Sequence, residues 1–118
     1  MTALDVVRAY QDAWTGKDYE AAAGYLADDF VHLSPNARYS SAKEWLPALA
    51  RFGDRIGSGW RAVAAFGDEA EALLMYELFA RSGAALPLTV DHFVVRDGKI
   101  ISETLVFDTA SFGAALIA

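Results

Sequence analysis

Leu86-Pro87-Leu88-Thr89-Val90-Asp91-His92-Phe93-Val94-Val95, followed by Arg96-Asp97-Gly98-Lys99-Ile100-Ile101, is the stretch whose reading decides the fold. Asp97-Gly98 between two apolar runs is the strongest short-range signal for a β-hairpin, because a two-residue turn needs positive φ. Strands are therefore expected over 86–96 and 100–107. Both alternating faces of the first run are apolar apart from positions 91 and 92, the pattern of a strand covered on both sides. An ionised carboxylate is costly in such surroundings, so Asp91 is expected to be neutralised, hydrogen-bonded or paired. A protonated acid on a rigid strand can donate to a ligand oxygen, which makes Asp91 a candidate functional group. The alternative, an edge-strand Asp facing water, suits these apolar flanks less well.

Upstream of the hairpin the chain reads as two more strands, Trp60 to Phe66 and Ala72 to Arg81, joined at Gly67-Asp68. Before them come three helices. Thr2 with Asp5 resembles a capping box, and Ala3, Val6, Val7, Tyr10, Ala13 and Trp14 follow at helical spacing up to Gly16. Asp18 caps a short helix to about Leu26. After Asp28-Asp29 a short strand from Phe30 to Leu33 ends at Ser34-Pro35-Asn36. Ser41 with Glu44 caps a third helix carrying Trp45, Leu49, Phe52 and Ile56 on one face, with a kink or restart expected at Pro47. Three helices followed by an antiparallel meander define an α+β architecture with helices covering one face of a curved sheet.

The 118 residues suffice for one core, so a single domain over 1–118 is expected. A hydrophobic fraction of 54% and an aromatic fraction of 13% describe a folded globule. The net charge of −6 repels phosphate backbones and the ten Lys and Arg are scattered, which argues against nucleic acid. Without cysteine there is no disulfide, thiolate zinc site or cysteine nucleophile. No apolar run is long enough to span a membrane and the charged N-terminus is no signal peptide, so a soluble, cytoplasmic protein is expected. Two histidines, at 32 and 92, without helical ligand spacing, support no metal site, and no glycine-rich phosphate loop or nucleophile elbow is present.

The order of elements and several local motifs resemble the nuclear transport factor 2-like superfamily, with its SnoaL-like polyketide cyclases and ketosteroid isomerases. Val6-Val7-Arg8-Ala9-Tyr10 is similar to the first-helix motif that ends in the isomerase's catalytic tyrosine. Leu26-Ala27-Asp28-Asp29-Phe30 is similar to the family's turn into its first strand, and Ser34-Pro35 stands where those proteins carry Asp-Pro. Val90-Asp91-His92-Phe93 with Asp97-Gly98-Lys99-Ile100-Ile101 resembles the segment holding the second oxyanion-hole acid. The resemblance implies a cone-shaped barrel, a curved antiparallel sheet wrapped around a long N-terminal helix, enclosing an apolar conical pocket. It also implies Tyr10 and Asp91 as two donors to a developing oxyanion. The family's base position is Ser34, whose hydroxyl cannot take a proton at neutral pH without an activating partner. Limonene epoxide hydrolase is a further relative in look; Thr89 and Leu105 replace the arginine and the second aspartate of its Asp-Arg-Asp arrangement.

Strand alternation adds candidates. His32 shares a face with Ser34 and is the candidate for the missing base, or a hydrogen-bonding contact. Glu103, with Ile101, Leu105 and Phe107, and Glu77, with Leu73, Met75 and Phe79, are acids among apolar same-face neighbours and are candidates to line the pocket; the alternatives are that each turns to the rim or that Glu77 pairs with Arg81. Trp14, Trp45, Phe52 and Phe93 are expected in its wall. The outer sheet face would carry His92, Tyr76, Ser102, Thr104 and Val106 and form a homodimer. Two functions remain open: a cofactor-free isomerase or cyclase acting on a small apolar or polycyclic carbonyl compound through Tyr10, Asp91 and His32, with Glu103 the alternative base, and a non-catalytic ligand-binding or association module.

Overall fold

Thr2 opens the first helix, α1 (Ala3–Thr15), with the reciprocal capping box its sequence predicts: Thr2 Oγ1 accepts from the Asp5 amide at 3.2 Å and Asp5 accepts from the Thr2 amide at 3.0 Å. The computed structural model describes residues 1–117. α1 turns Val6, Val7, Tyr10, Gln11 and Trp14 into the core and stops at Gly16. α2 (Tyr19–Ala23), capped by the Asp18 carboxylate, is shorter than its apolar pattern suggests. The chain leaves the helix at Gly24, and Leu26 already belongs to β1 (Leu26–Leu33). β2 (Arg38–Tyr39) returns beside it, and Ser41 caps α3 (Ala42–Gly53). Pro47 lies inside α3 without ending it; at this early position its ring removes one backbone donor and the rest of the ladder continues.

β3 (Trp60–Gly67), β4 (Glu71–Leu78), β5 (Thr89–Arg96) and β6 (Lys99–Val106) form the expected antiparallel meander. The β5–β6 turn has Asp97 at φ 52° and Gly98 at φ 75°, the two positive values such a turn demands. β1 then pairs with β6 in parallel, so the six strands, in the order β2-β1-β6-β5-β4-β3, form a mixed sheet. The sheet is curved and open, not a closed or wholly antiparallel barrel. Its parallel pair arises because β1 and the last strand lie side by side with α3 and the meander between them in sequence.

α1 lies across β3 to β6, and α3 covers β1 and β2. The core between helices and sheet centres on Val6, Val7, Tyr10, Phe30, Leu74, Phe93 and Ile100, all essentially without solvent contact. A fourth helix, α4 (Thr109–Ile117), follows β6, its first turn held by the Asp108 carboxylate. Nothing in the helical periodicity of this Ala- and Gly-containing tail announces it. Its Phe112 packs on Phe52 and Phe107 and closes one end of the helix–sheet sandwich.

Candidate active site

The inward face of β5 is Thr89, Asp91, Phe93 and Val95, all buried, as its alternation predicts. On β4 the inward face is Ala72, Leu74, Tyr76 and Leu78. This corrects two expectations. Tyr76 is buried rather than on the outer face, and Glu77 does not reach the cavity but faces out, where it pairs with Arg61 of β3 and not with Arg81. Both alternating sets of β4 are apolar enough to pass for a core face. The register, which sets Leu74 opposite Asp91 and Tyr76 opposite Thr89, decides between them.

His32 of β1 and Glu103 of β6 are direct partners in the parallel pair. Their side chains meet, His32 Nδ1 lying 2.9 Å from Glu103 Oε1, with only 2% and 5% of each residue exposed. The imidazole is stacked on the Trp45 indole with ring centres 3.8 Å apart, which fixes its plane. Trp45 Nε1 in turn donates to the Tyr10 hydroxyl at 3.0 Å. That hydroxyl accepts, so its own proton remains to donate. His32 Nε2 makes no hydrogen bond among the described residues, and His32 lines the cavity.

Behind this pair lies a second layer. Tyr76 donates its hydroxyl to Asp91 Oδ2 at 3.1 Å, while Asp91 Oδ1 has no partner among the described residues. Burial first, and then the Glu103 carboxylate beside it, hold the Asp91 carboxyl well above the usual carboxylate range, which favours its neutral form. In that form Asp91 has a proton to give, and the nearby Glu103 carboxylate favours keeping it. Burial likewise pushes the Tyr10 and Tyr76 phenols up, which keeps both as donors.

These groups stand at a cavity of about 310 Å³, within the range of small-molecule sites. Of the residues singled out in the sequence, Tyr10, Trp14, His32, Ser34, Trp45, Phe52, Glu103 and Phe107 line it. Three do not. Asp91 is sealed beneath the wall, Phe93 packs edge-on at 6.3 Å from Tyr10 under the cavity floor, and Glu77 is on the far side of the sheet. Ser34 lines the cavity, but its hydroxyl turns back to the Ala37 carbonyl at 3.4 Å and has no activating partner. Sequence reasoning missed Tyr76, Tyr39 of the two-residue β2, and Phe112 of α4. The helical signal of α4 is too weak to place Phe112, and β2 is too short to read.

Among the described residues no three His, Asp or Glu side chains are placed to hold a metal ion, and no helix is long and apolar enough to cross a membrane.

An open curved sheet around a helix, with an apolar cavity and a buried imidazole–carboxylate pair on its wall, defines a small α+β domain of the ketosteroid isomerase-like fold. The chain belongs to the SnoaL-like domain family, whose pattern it matches over residues 7–103. A protein of Kribbella flavida superposes with a TM-score of 0.86 at 32% identity, over 97% of this chain and 93% of that one. An LEH-like epoxide hydrolase of M. tuberculosis gives 0.79 at 22% identity, covering 98% and 89% of the two chains. A Catenulispora acidiphila protein with a ketosteroid isomerase-like fold, solved with trimethylamine, gives 0.76 at 17% identity, covering 97% and 92%. The last two likenesses carry the fold alone. No curated protein matches the sequence.

Proposed function

We propose that this protein is a cofactor-free acid–base enzyme of the isomerase or cyclase type, acting on a small, largely apolar or polycyclic carbonyl compound held in the cavity. The observation that carries the reading is the His32–Glu103 pair at 2.9 Å, with Nε2 of the same imidazole left without a partner at the cavity wall. A carboxylate on Nδ1 holds the proton there and leaves the Nε2 lone pair for the substrate. His32 Nε2 takes a proton from the carbon next to the carbonyl, and the C–H electron pair moves onto the carbonyl oxygen. Tyr10 donates its hydroxyl to that enolate oxygen. The imidazolium then returns the proton to a different carbon, which is isomerisation. Alternatively the enolate carbon attacks a second carbonyl of the same molecule, whose oxygen receives the proton, which is cyclisation. Asp91 takes part only through Glu103, since it does not reach the cavity.

Planar phenols mimic the enolate and test the site. A phenol at 100 times its dissociation constant should add about 2.7 kcal/mol to stability. Tyr10→Phe should reduce that gain, and a panel of phenols and cyclic enones that leaves the melting temperature unchanged would contradict the reading.

A second reading concerns the outer face, and one row of residues favours it. Phe66, Leu73, His92, Thr104 and Leu33 are successive cross-strand partners from β3 to β1, with Phe66 69%, Leu73 44% and Leu33 44% exposed. Val106, 57% exposed, lies in the neighbouring row with Met75 and Val90. A sheet face with Phe66, Leu73, Leu33 and Val106 exposed on either side of His92 and Thr104 suits a second copy of the chain, so we propose a homodimer through this face.

A further inference from the structure

Arg55 lines the cavity described above and also a second one of about 330 Å³, bounded besides by Ala80, Arg81, Ser82, Ala115 and Leu116. Leu116 is likewise common to both, so the two spaces adjoin at the mouth of the candidate active site. The chain brings the two arginines together by construction. Gly57 lies so close to the end of β4 that a Cβ there would come within 2.5 Å of the Ala80 carbonyl oxygen, and its amide donates to Phe79 O at 2.8 Å. Arg81, on the tight turn closed by the Gly83 amide to Ala80 O at 2.9 Å, donates from Nη2 to the carbonyl of Asp54. That bond aims its guanidinium at the residue before Arg55.

The Arg55 side chain makes no hydrogen bond among the described residues, and Arg81 makes one, to the carbonyl of Asp54, the C-cap residue of α3. The other carbonyls at and just beyond the C-terminal end of α3, where a cation is ordinarily welcome, are taken by Lys17, which donates to those of Gly53, Ile56 and Gly57. Among the described residues the ion pairs are His32–Glu103, Arg61–Glu77 and His92–Glu71, so neither Arg55 nor Arg81 faces a carboxylate within ion-pair distance. In a chain of net charge −6, two guanidinium groups share a concave space that no acidic side chain lines among the described residues, which suits an anion from outside.

We infer that Arg55 and Arg81 form an oxyanion subsite that holds a carboxylate or phosphate group of the substrate at the cavity mouth, while its carbonyl-bearing body reaches His32 and Tyr10. This rests on the proposed ligand-binding role of the first cavity and adds the substrate class: an apolar carbonyl compound with an anionic tail.

Three matched probes test it by calorimetric titration at low salt: 6-oxo-6-phenylhexanoate, its primary amide, and 6-oxo-6-phenylhexyl phosphate. The acid or the phosphate should bind roughly tenfold more tightly than the amide, and the better of the two names the group recognised. Arg55→Gln and Arg81→Gln should each erase most of that advantage, and Arg81→Gln, at a position outside the first cavity, should leave the amide's affinity unchanged. Arg81→Lys, which keeps a donor and the charge, should retain part of it and guards against a folding defect. Equal binding of charged and neutral probes, or a preference that survives both Gln substitutions, overturns the subsite while leaving the cavity reading intact. Arginine-dependent binding of the charged probes with no competition from the amide supports the subsite and contradicts the cavity reading. Binding of no probe contradicts both.

Discussion

His32 and Glu103 face each other across the one parallel strand pair of the sheet, Nδ1 to Oε1 at 2.9 Å, and both are buried. The pairing is a consequence of topology. In a parallel pair the side chains of register partners point to the same face, so the β1–β6 junction brings a residue from each end of the chain to one point. The Trp45 indole stacked on the ring and the carboxylate on Nδ1 together set the tilt, the plane and the tautomer of the imidazole.

Glu103→Gln should therefore act on the reaction rather than on the fold. A glutamine can still accept from Nδ1, but it removes the negative charge that favours the imidazolium formed in the proton transfer. We expect kcat to fall by about 10²–10⁴-fold with KM little changed. Steady-state kinetics of the variant check it; a loss confined to KM would make Glu103 a binding residue instead.

Asp91 should leave a signature in the pH dependence of stability. The folded protein keeps a proton on this carboxyl, its pKa raised by burial and by Glu103, that the unfolded chain gives up near the ordinary aspartate value of 3.8. Above that pH the unfolded state binds fewer protons than the folded one, so this group's contribution is full below 3.8 and declines as pH rises toward the raised folded value. The slope is up to about 1.4 kcal/mol per pH unit. Asp91→Asn, which has no proton to lose, should flatten the urea-melt stability profile between pH 4 and 7. A variant profile parallel to the wild type would mean that Asp91 is ionised in the fold.

Tyr76→Phe should destabilise the protein by about 1–3 kcal/mol, because it strips Asp91 of the one hydrogen bond its Oδ2 makes while Oδ1 is already without a partner. Chemical denaturation gives the value directly. A neutral effect would indicate that a water replaces the phenol.

The outer-face stripe makes a separate prediction. Phe66→Asp or Leu73→Lys places a charge in the exposed apolar row without touching the core, and should shift sedimentation from dimer to monomer with the melting of the monomer unchanged. A wild type that sediments as a monomer at high concentration would end the dimer reading.

Much of this fold is legible in the residues, and the reasons are local. Thr2 with Asp5, Ser41 with Glu44 and Asp97-Gly98 each set an element boundary through a bond or a dihedral confined to a few residues. The inward face of β5 also follows from its own alternation. The face of β4 does not, because Leu73-Met75 and Leu74-Tyr76 are equally apolar and only the β4–β5 register chooses between them. For that reason Tyr76 was legible as outer and Glu77 as inner, the reverse of their places. The same non-locality hid the acid pair: Asp91 and Glu103 read as separate candidates, whereas their proximity lets one carboxyl hold the proton while the other serves His32.

The most direct measurement is solvent exchange at the carbon next to a ketone, followed by proton NMR in D₂O with cyclic enones and aryl ketones at neutral pH. The account predicts that the wild-type protein washes deuterium into that position faster than buffer, that Tyr10→Phe slows the exchange, and that His32→Gln reduces it to the buffer rate. Exchange that is no faster than buffer for a ketone shown to occupy the cavity, or that persists undiminished in His32→Gln, would contradict it.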